Sequence, residues 1–210
     1  MAGTVAKAWR ARGVIFDLDS TLLRTKINFR RIRERIECPK AMGILEFLET
    51  VENEEKRKEF ESVVLEEEEL GREGAELLPG AIEVLSALVD AEIPHALLTR
   101  NDEAAVEHFL ELLRAEMKPN FALTLHRDAP FPPKPDPAPA LHILSEAMSF
   151  IPAEDVLFVG DAVDDLKCGR AAGTKTCLVG PGHGFLLPGE SFASLADFHF
   201  PTLHPLTTLL

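Results

Sequence analysis

Apolar positions along this chain of 210 residues fall into two regimes. From about residue 79 onward, stretches with apolar residues three and four apart alternate with short runs of β-branched and aromatic residues. AIEVLSALVD precedes HALLT, EAAVEHFLELL precedes FALTL, and PALHILSEAM precedes DVLFVG; DLKCGRAAG, TKTCLVG and the short ADFHF complete the series. Near the other end, GVIFDL adds a first strand that finishes in acidic and hydroxyl residues. Strand, crossover helix and strand in alternation predict an α/β fold: a doubly wound parallel sheet, Rossmann-like, with helices on both faces. Val106, Phe109, Leu110 and Leu113 form one stripe predicted to face the core, and Ile82, Leu85, Leu88 and Val89 another. Gly173 is placed to end a helix, and Asn101 or Asp102 to begin the one after Thr99.

Between Arg24 and Leu78 no strand-like run occurs, and FRRIRERI, AMGILEFLET and EEKRKEFESVVLEEEEL read as about three helices. The predicted organisation is therefore a core formed by 1–22 and 79–210 with a small all-helical insertion, 23–78. Charge is segregated inside that insertion. Residues 24–40 carry seven basic side chains against two glutamates, a balance of +5, whereas 41–78 carry four basic side chains against thirteen glutamates, a balance of −9. Two readings follow: solvated helix faces laced by i,i+4 pairs, or a basic helix whose Arg30, Arg31, Arg33 and Arg35 grip an anionic substrate.

Overall charge narrows the partners. With 22 Lys plus Arg against 35 Asp plus Glu, the net charge of −13 repels nucleic acid and anionic lipid. No apolar run approaches the roughly 18–20 residues of a membrane span. Cys38, Cys168 and Cys177 are too few and too scattered for a disulfide framework, which points to reduced thiols and a cytoplasmic setting. The opening MAGTVAKAWRARG lacks the apolar core of a signal peptide. Monomer and homodimer are not separated by anything in the pattern.

Chemistry-bearing residues gather just after predicted strands, the edge where open parallel sheets bind ligands. FDLDST holds Asp17 and Asp19 with Thr21; alone, such a triplet is as easily a loop or a helix cap. Thr99 ends HALLT, where a turn residue is the ordinary reading. Lys134 lies in APFPPKPDPAPA, which otherwise reads as a stiff polyproline loop or a peptide ligand. VGDAVDD supplies Asp161, Asp164 and Asp165, carboxylates that suggest a cation site.

In order and spacing these segments resemble the haloacid dehalogenase-like superfamily, whose motifs are D-x-D-x-[TV], a strand-end Thr or Ser, a Lys, and G-D-x-x-x-D. LPGAIEVLSALVDAEIPHALLTRN, KPDPAPALHIL and VLFVGDAVDDLKCGRAAGTKTCLVG are similar to its phosphoglycolate phosphatase-like branch. The resemblance implies a phosphatase of small phosphorylated metabolites, with Asp17 as nucleophile through an aspartyl-phosphate and Asp19 as general acid and base. It implies Mg2+ held by Asp17, Asp19 through its main-chain carbonyl, and Asp161. Thr99, Lys134 and the amides near Leu18 and Arg100 would cradle the phosphate, with Asp165 in support and the helical insertion in the place of a C1 cap. Ala162 stands where the motif usually has Ser. A sugar phosphomutase-type phosphotransferase shares the Asp pair and is the nearest rival. A dehalogenase lacks an acid equivalent to Asp19, a phosphonatase-like enzyme needs a cap lysine, and a non-catalytic binding protein would not need all four motifs intact. The seven histidines have no ligand spacing and read as packing or surface residues, and GPGHG at 180–184 as a surface turn.

Overall fold

The computed structural model describes residues 9–40 and 42–210. The segment 1–8, which begins the stretch MAGTVAKAWRARG, and Ala41, at the start of the second predicted insertion helix, lie outside the described residues. The chain divides into a sheet unit, 1–24 and 77–210, and a helical unit, 25–76. Leu23, Arg24, Leu77 and Leu78, assigned by pattern to the insertion, thus belong with the sheet unit.

Six parallel strands form the sheet: β1 (Gly13–Phe16), β4 (His95–Leu98), β5 (Leu123–Leu125), β6 (Val156–Ala162), β7 (Lys175–His183) and β8 (Phe198–Phe200). The short β2 (Leu23–Arg24) and β3 (Glu76–Leu77) pair separately, a two-stranded element too brief for periodicity to reveal. Strand order is β5-β4-β1-β6-β7-β8. β1 therefore lies inside the sheet, in register with β4 (Val14 opposite His95) and β6 (Val14 opposite Leu157). Being covered on both faces, it is apolar at consecutive positions instead of alternating, and all four of its residues are buried.

Helices α4 (Ala81–Asp90), α5 (Glu103–Arg114), α6 (Ala138–Ala147) and α7 (Val163–Ala171) follow β3, β4, β5 and β6, and a single turn, α8 (Phe192–Leu195), precedes β8. One core cluster joins Ile15, Ala96, Leu98, Phe158 and Cys168 of the sheet and α7 to Ala140 and Ile143 of α6. The α5 stripe holds at Val106, Phe109 and Leu113, whereas Leu110 is half-buried. In α4 the buried set is Ala81, Val84, Leu85 and Leu88, rotated from the predicted stripe, and Val89 is exposed. A small residue, Ala81, takes the first core position, a choice that weighting by large apolar side chains misses. Asp102 caps α5 by accepting from Ala105 N at 2.9 Å, and Gly173 ends α7 with φ 85°.

The helical unit contains α1 (Phe29–Ile36), α2 (Ile44–Glu49) and α3 (Glu54–Arg72), around Ile32, Ile36, Leu48, Phe60 and Val64. Asn28 and Asn53 cap α1 and α3 by accepting from Arg31 N and Lys56 N. The charge segregation has a structural use inside this unit. Glu67, almost fully buried, accepts from Arg31 at 2.9 Å and Arg35 at 3.1 Å, while Arg35 also reaches Glu66 at 2.7 Å. A buried carboxylate is tolerable only when so paired, which joins the basic helix to the acidic one. No helix among the described residues is long and apolar enough to cross a membrane.

Candidate active site

Asp17 follows β1 directly, and its backbone N–H still donates to Val159 O at 2.9 Å, so the ladder holds the residue at the carboxyl end of the sheet. Thr99 follows β4 and is held in the same way by Leu125 O. Asp161 lies near the end of β6, Asp165 in the first turn of α7, and Lys134 in the connection from β5 to α6. Four of these segments are remote in sequence, and strand ends bring them together.

Lys134 is the hub. Its ammonium, 3% exposed, donates to Asp17 Oδ1 at 2.5 Å, Asp165 Oδ1 at 2.7 Å and Leu98 O at 2.9 Å, using all three of its N–H groups. Asp165 accepts from Ala162 N through its other oxygen at 3.0 Å, so both its oxygens are engaged. Ala162, which stands where the motif usually has Ser, contributes its backbone amide to Asp165 and no side-chain hydrogen bond. Carboxylate oxygens of Asp17, Asp161 and Asp165 lie within 4.8 Å of one another.

The electrostatics follow from burial. Desolvation pushes the Asp17 carboxyl up to about 8; Lys134 opposes this, and the Asp165 and Asp161 charges add to it. Burial alone would lower Lys134, but Asp165 and Asp17 outweigh it and hold the ammonium above the ordinary lysine range. Lys134 is thus bonded to two of three clustered carboxylates, Asp17 and Asp165, and the cluster with Asp161 is of a kind that can hold a metal ion.

The two aspartates of FDLDST have different partners. Asp19 Oδ2 accepts from Asn101 Nδ2 at 2.9 Å, and Ser20, at φ 58°, turns the chain between Asp19 and the Ser20 N to Leu23 O hydrogen bond. Thr99 Oγ1 accepts from Asn101 N at 3.1 Å, which leaves its own proton to be donated. Arg100 pairs with Asp164 at 3.3 Å. Arg30 and Arg31 are not among these groups: they belong to the helical unit, where Arg30 pairs with Glu34 at 2.7 Å and Arg31 with Glu67. Cys168 is buried, donates to Asp136 O at 3.2 Å, and burial pushes its thiol up to about 12, the character of a packed rather than a nucleophilic cysteine.

The model of the haloacid dehalogenase-like hydrolase family matches residues 11–173, which spans all four segments. The chain belongs to that family. A haloacid dehalogenase-like hydrolase domain-containing protein of Arabidopsis thaliana is 31% identical over 182 residues, covering 81% of this chain and 71% of that protein. A phosphoglycolate phosphatase of Pseudomonas fluorescens is 32% identical over 121 residues, 57% of this chain and 43% of the relative. In fold, the chain is similar to a haloacid dehalogenase-like hydrolase from Bacteroides fragilis, at a TM-score of 0.72 and 20% identity over 94% of this chain and all of that one.

Two residues in contact with the hydrolase site escaped the sequence reading. Asn101, weighed only as a helix cap, yields that position to Asp102 and serves Asp19 instead. His183 places Nε2 3.0 Å from Asp161 Oδ2, and this hydrogen bond raises the imidazole pKa against the lowering effect of burial. GPGHG is therefore not a plain surface turn; its signal was the density of glycines around one histidine.

Gly160 is required by a close approach. A Cβ there would lie 2.4 Å from Asp165 Cβ and Oδ2, so the aspartate would have to leave Lys134 and Ala162 N. Gly160→Ala is expected to cost about 1–3 kcal/mol, the usual penalty of overpacking. A melting temperature equal to that of the parent protein would show that Asp165 is not held against the strand.

Proposed function

We propose that this hydrolase is a magnesium-dependent phosphatase of small phosphorylated metabolites, acting through an aspartyl-phosphate on Asp17. The observation that supports the reading best is the buried Asp17 carboxylate at a strand end, tied to Lys134 with Asp161 and Asp165 beside it. The name of the phosphoglycolate phosphatase relative agrees with a small phosphomonoester as substrate.

The donor set fits magnesium, a hard ion that takes oxygen ligands: the carboxylates of Asp17 and Asp161 and the main-chain carbonyl of Asp19 would hold it. Asp165, with both oxygens engaged, orients Lys134. When bound, the ion supplies positive charge that keeps Asp17 ionised and offsets its repulsion from a dianionic phosphate.

Asp17 attacks phosphorus, the bond from phosphorus to the ester oxygen breaks, and that oxygen takes a proton from Asp19. Water then gives its proton to Asp19 and attacks the same phosphorus. The bond to Asp17 breaks, inorganic phosphate leaves, and both aspartates regain their starting states. The Thr99 hydroxyl and the Leu18 and Arg100 amides hold the phosphoryl oxygens, and the charge of Lys134, whose N–H groups are engaged, offsets theirs. Asn101 donates to Asp19 while Lys134 donates to Asp17, so the two carboxylates differ in surroundings and can divide their roles. The three cysteines, all buried and unpaired, support a reducing, cytoplasmic setting.

Purified protein is expected to release phosphate from p-nitrophenyl phosphate with magnesium and to stop when EDTA is added. A panel of small phosphomonoesters assayed in the same way identifies the substrate class. Release that continues in excess EDTA, or none from any ester of the panel, would sink the proposal.

A further inference from the structure

His183 reaches the site by a detour in the chain. β6 and β7 pair Gly160 with Leu178 and next Ala162 with His183, so two steps along one strand correspond to five along the other. The three extra residues fall within the segment Val179, Gly180, Pro181 and Gly182, where Gly180 and Gly182 adopt φ 79° and 76°, a region costly for residues with a Cβ. The detour is held from both sides. His199 Nε2 donates to Gly180 O at 2.8 Å, and a Cβ on Gly182 would lie 2.8 Å from the Phe192 ring. After it, the backbone returns to register beside Ala162, and the imidazole Nε2 is 3.0 Å from Asp161 Oδ2.

A carboxylate after a strand can rotate about its last torsion, and each orientation presents different oxygens to a ligand. A hydrogen bond to one oxygen removes that freedom. We infer that His183 is a positioning residue for Asp161: its Nε2–H holds Oδ2, so that the other oxygen is presented to the cation proposed above. The inference rests on the magnesium reading and adds to it a residue that lies outside the four motifs. It also accounts for the glycines of GPGHG, which shape the detour that delivers the histidine.

Magnesium is titrated calorimetrically into the protein and into His183→Ala and His183→Gln, with cation-free melting temperatures recorded alongside. The His183 side chain is 65% exposed, so both variants are expected to fold and melt like the parent. Hydrogen-bond partners of metal-binding side chains typically contribute about 10–100-fold in affinity, and His183→Ala is expected to weaken magnesium binding by that factor. His183→Gln, whose amide N–H can reach the same oxygen, is expected to recover most of it. Equal affinity of parent and His183→Ala would overturn the inference alone, as would glutamine doing no better than alanine. No magnesium binding by the parent would overturn the cation reading and this inference with it.

Discussion

Asp17→Asn is expected to lower phosphate release by about 10⁴-fold or more, the scale on which catalysis falls when a covalent nucleophile is removed. Asparagine nearly matches the shape of aspartate and can still face Lys134, so the site keeps its packing while losing the anionic oxygen that attacks phosphorus. The same substitution carries a stability signature of opposite sign. Asp17 is raised from 3.8 to about 8 by burial, so the folded protein binds a proton there more tightly than the unfolded chain does. Its contribution to stability is then fully present below pH 3.8 and is lost as pH rises through about 8. Asparagine has no proton to lose. In EDTA at neutral pH and above, Asp17→Asn is expected to melt higher than the parent, with about 1 kcal/mol corresponding to roughly 2–4 °C in a chain of this size. Melting curves in EDTA from pH 5 to 9 and phosphate assays with magnesium test both halves. Turnover at the parent rate would remove Asp17 as nucleophile, and a variant less stable than the parent at pH 8 would remove the burial argument.

Lys134→Met is expected to damage stability as well as turnover. The methionine fills a similar volume, but Asp17 and Asp165 lose the ammonium that both contact, and Leu98 O loses its donor. Removing one member of a buried ion pair costs about 3–5 kcal/mol, because the partner charge stays buried without compensation. At roughly 2–4 °C per kcal/mol, cation-free Lys134→Met is expected to melt about 10 °C below the parent. Magnesium is expected to restore part of that difference by supplying positive charge to the same carboxylates. Activity is expected to fall about 10²–10³-fold, the scale for losing one group that stabilises transition-state charge. An unchanged melting temperature in EDTA would mean that Lys134 is not what holds the carboxylates together.

Opposite stability changes at two touching residues distinguish this account from one in which the cluster is simply a tight polar core. In a generic core either change would destabilise. Here one removes a surplus negative charge and the other removes the only cation bonded to Asp17 and Asp165 among the described residues.

Much of the fold was legible because burial on two faces leaves consecutive apolar residues, as in GVIF and VLFV, and burial on one face leaves stripes three and four apart. The same periodicity predicts a helical insertion over 23–78; the helical unit spans 25–76, and the two-residue strands β2 and β3 at its borders are too short to leave a period. Asp17, Thr99 and Asp161 stand out in the sequence because each lies at or just past the end of a strand, and Lys134 because it lies in the connection that leaves β5; strand ends in a parallel sheet converge on one edge. The α4 stripe was rotated because a buried alanine carries little hydrophobic weight.

What the sequence determined on its own was the order of helices and strands, the α/β class and the candidates for chemistry, since these depend on local spacing and residue type. The tertiary structure decided which side chains meet. It committed Arg31 and Arg35 to Glu67, gave Asn101 to Asp19, and used a glycine detour to set His183 against Asp161. Such contacts join residues tens of positions apart or hinge on backbone angles at single glycines, and neither leaves a period in the sequence. The three carboxylates around Lys134 are the same kind of fact: their identities are local, but the cluster they form exists only once the strands align.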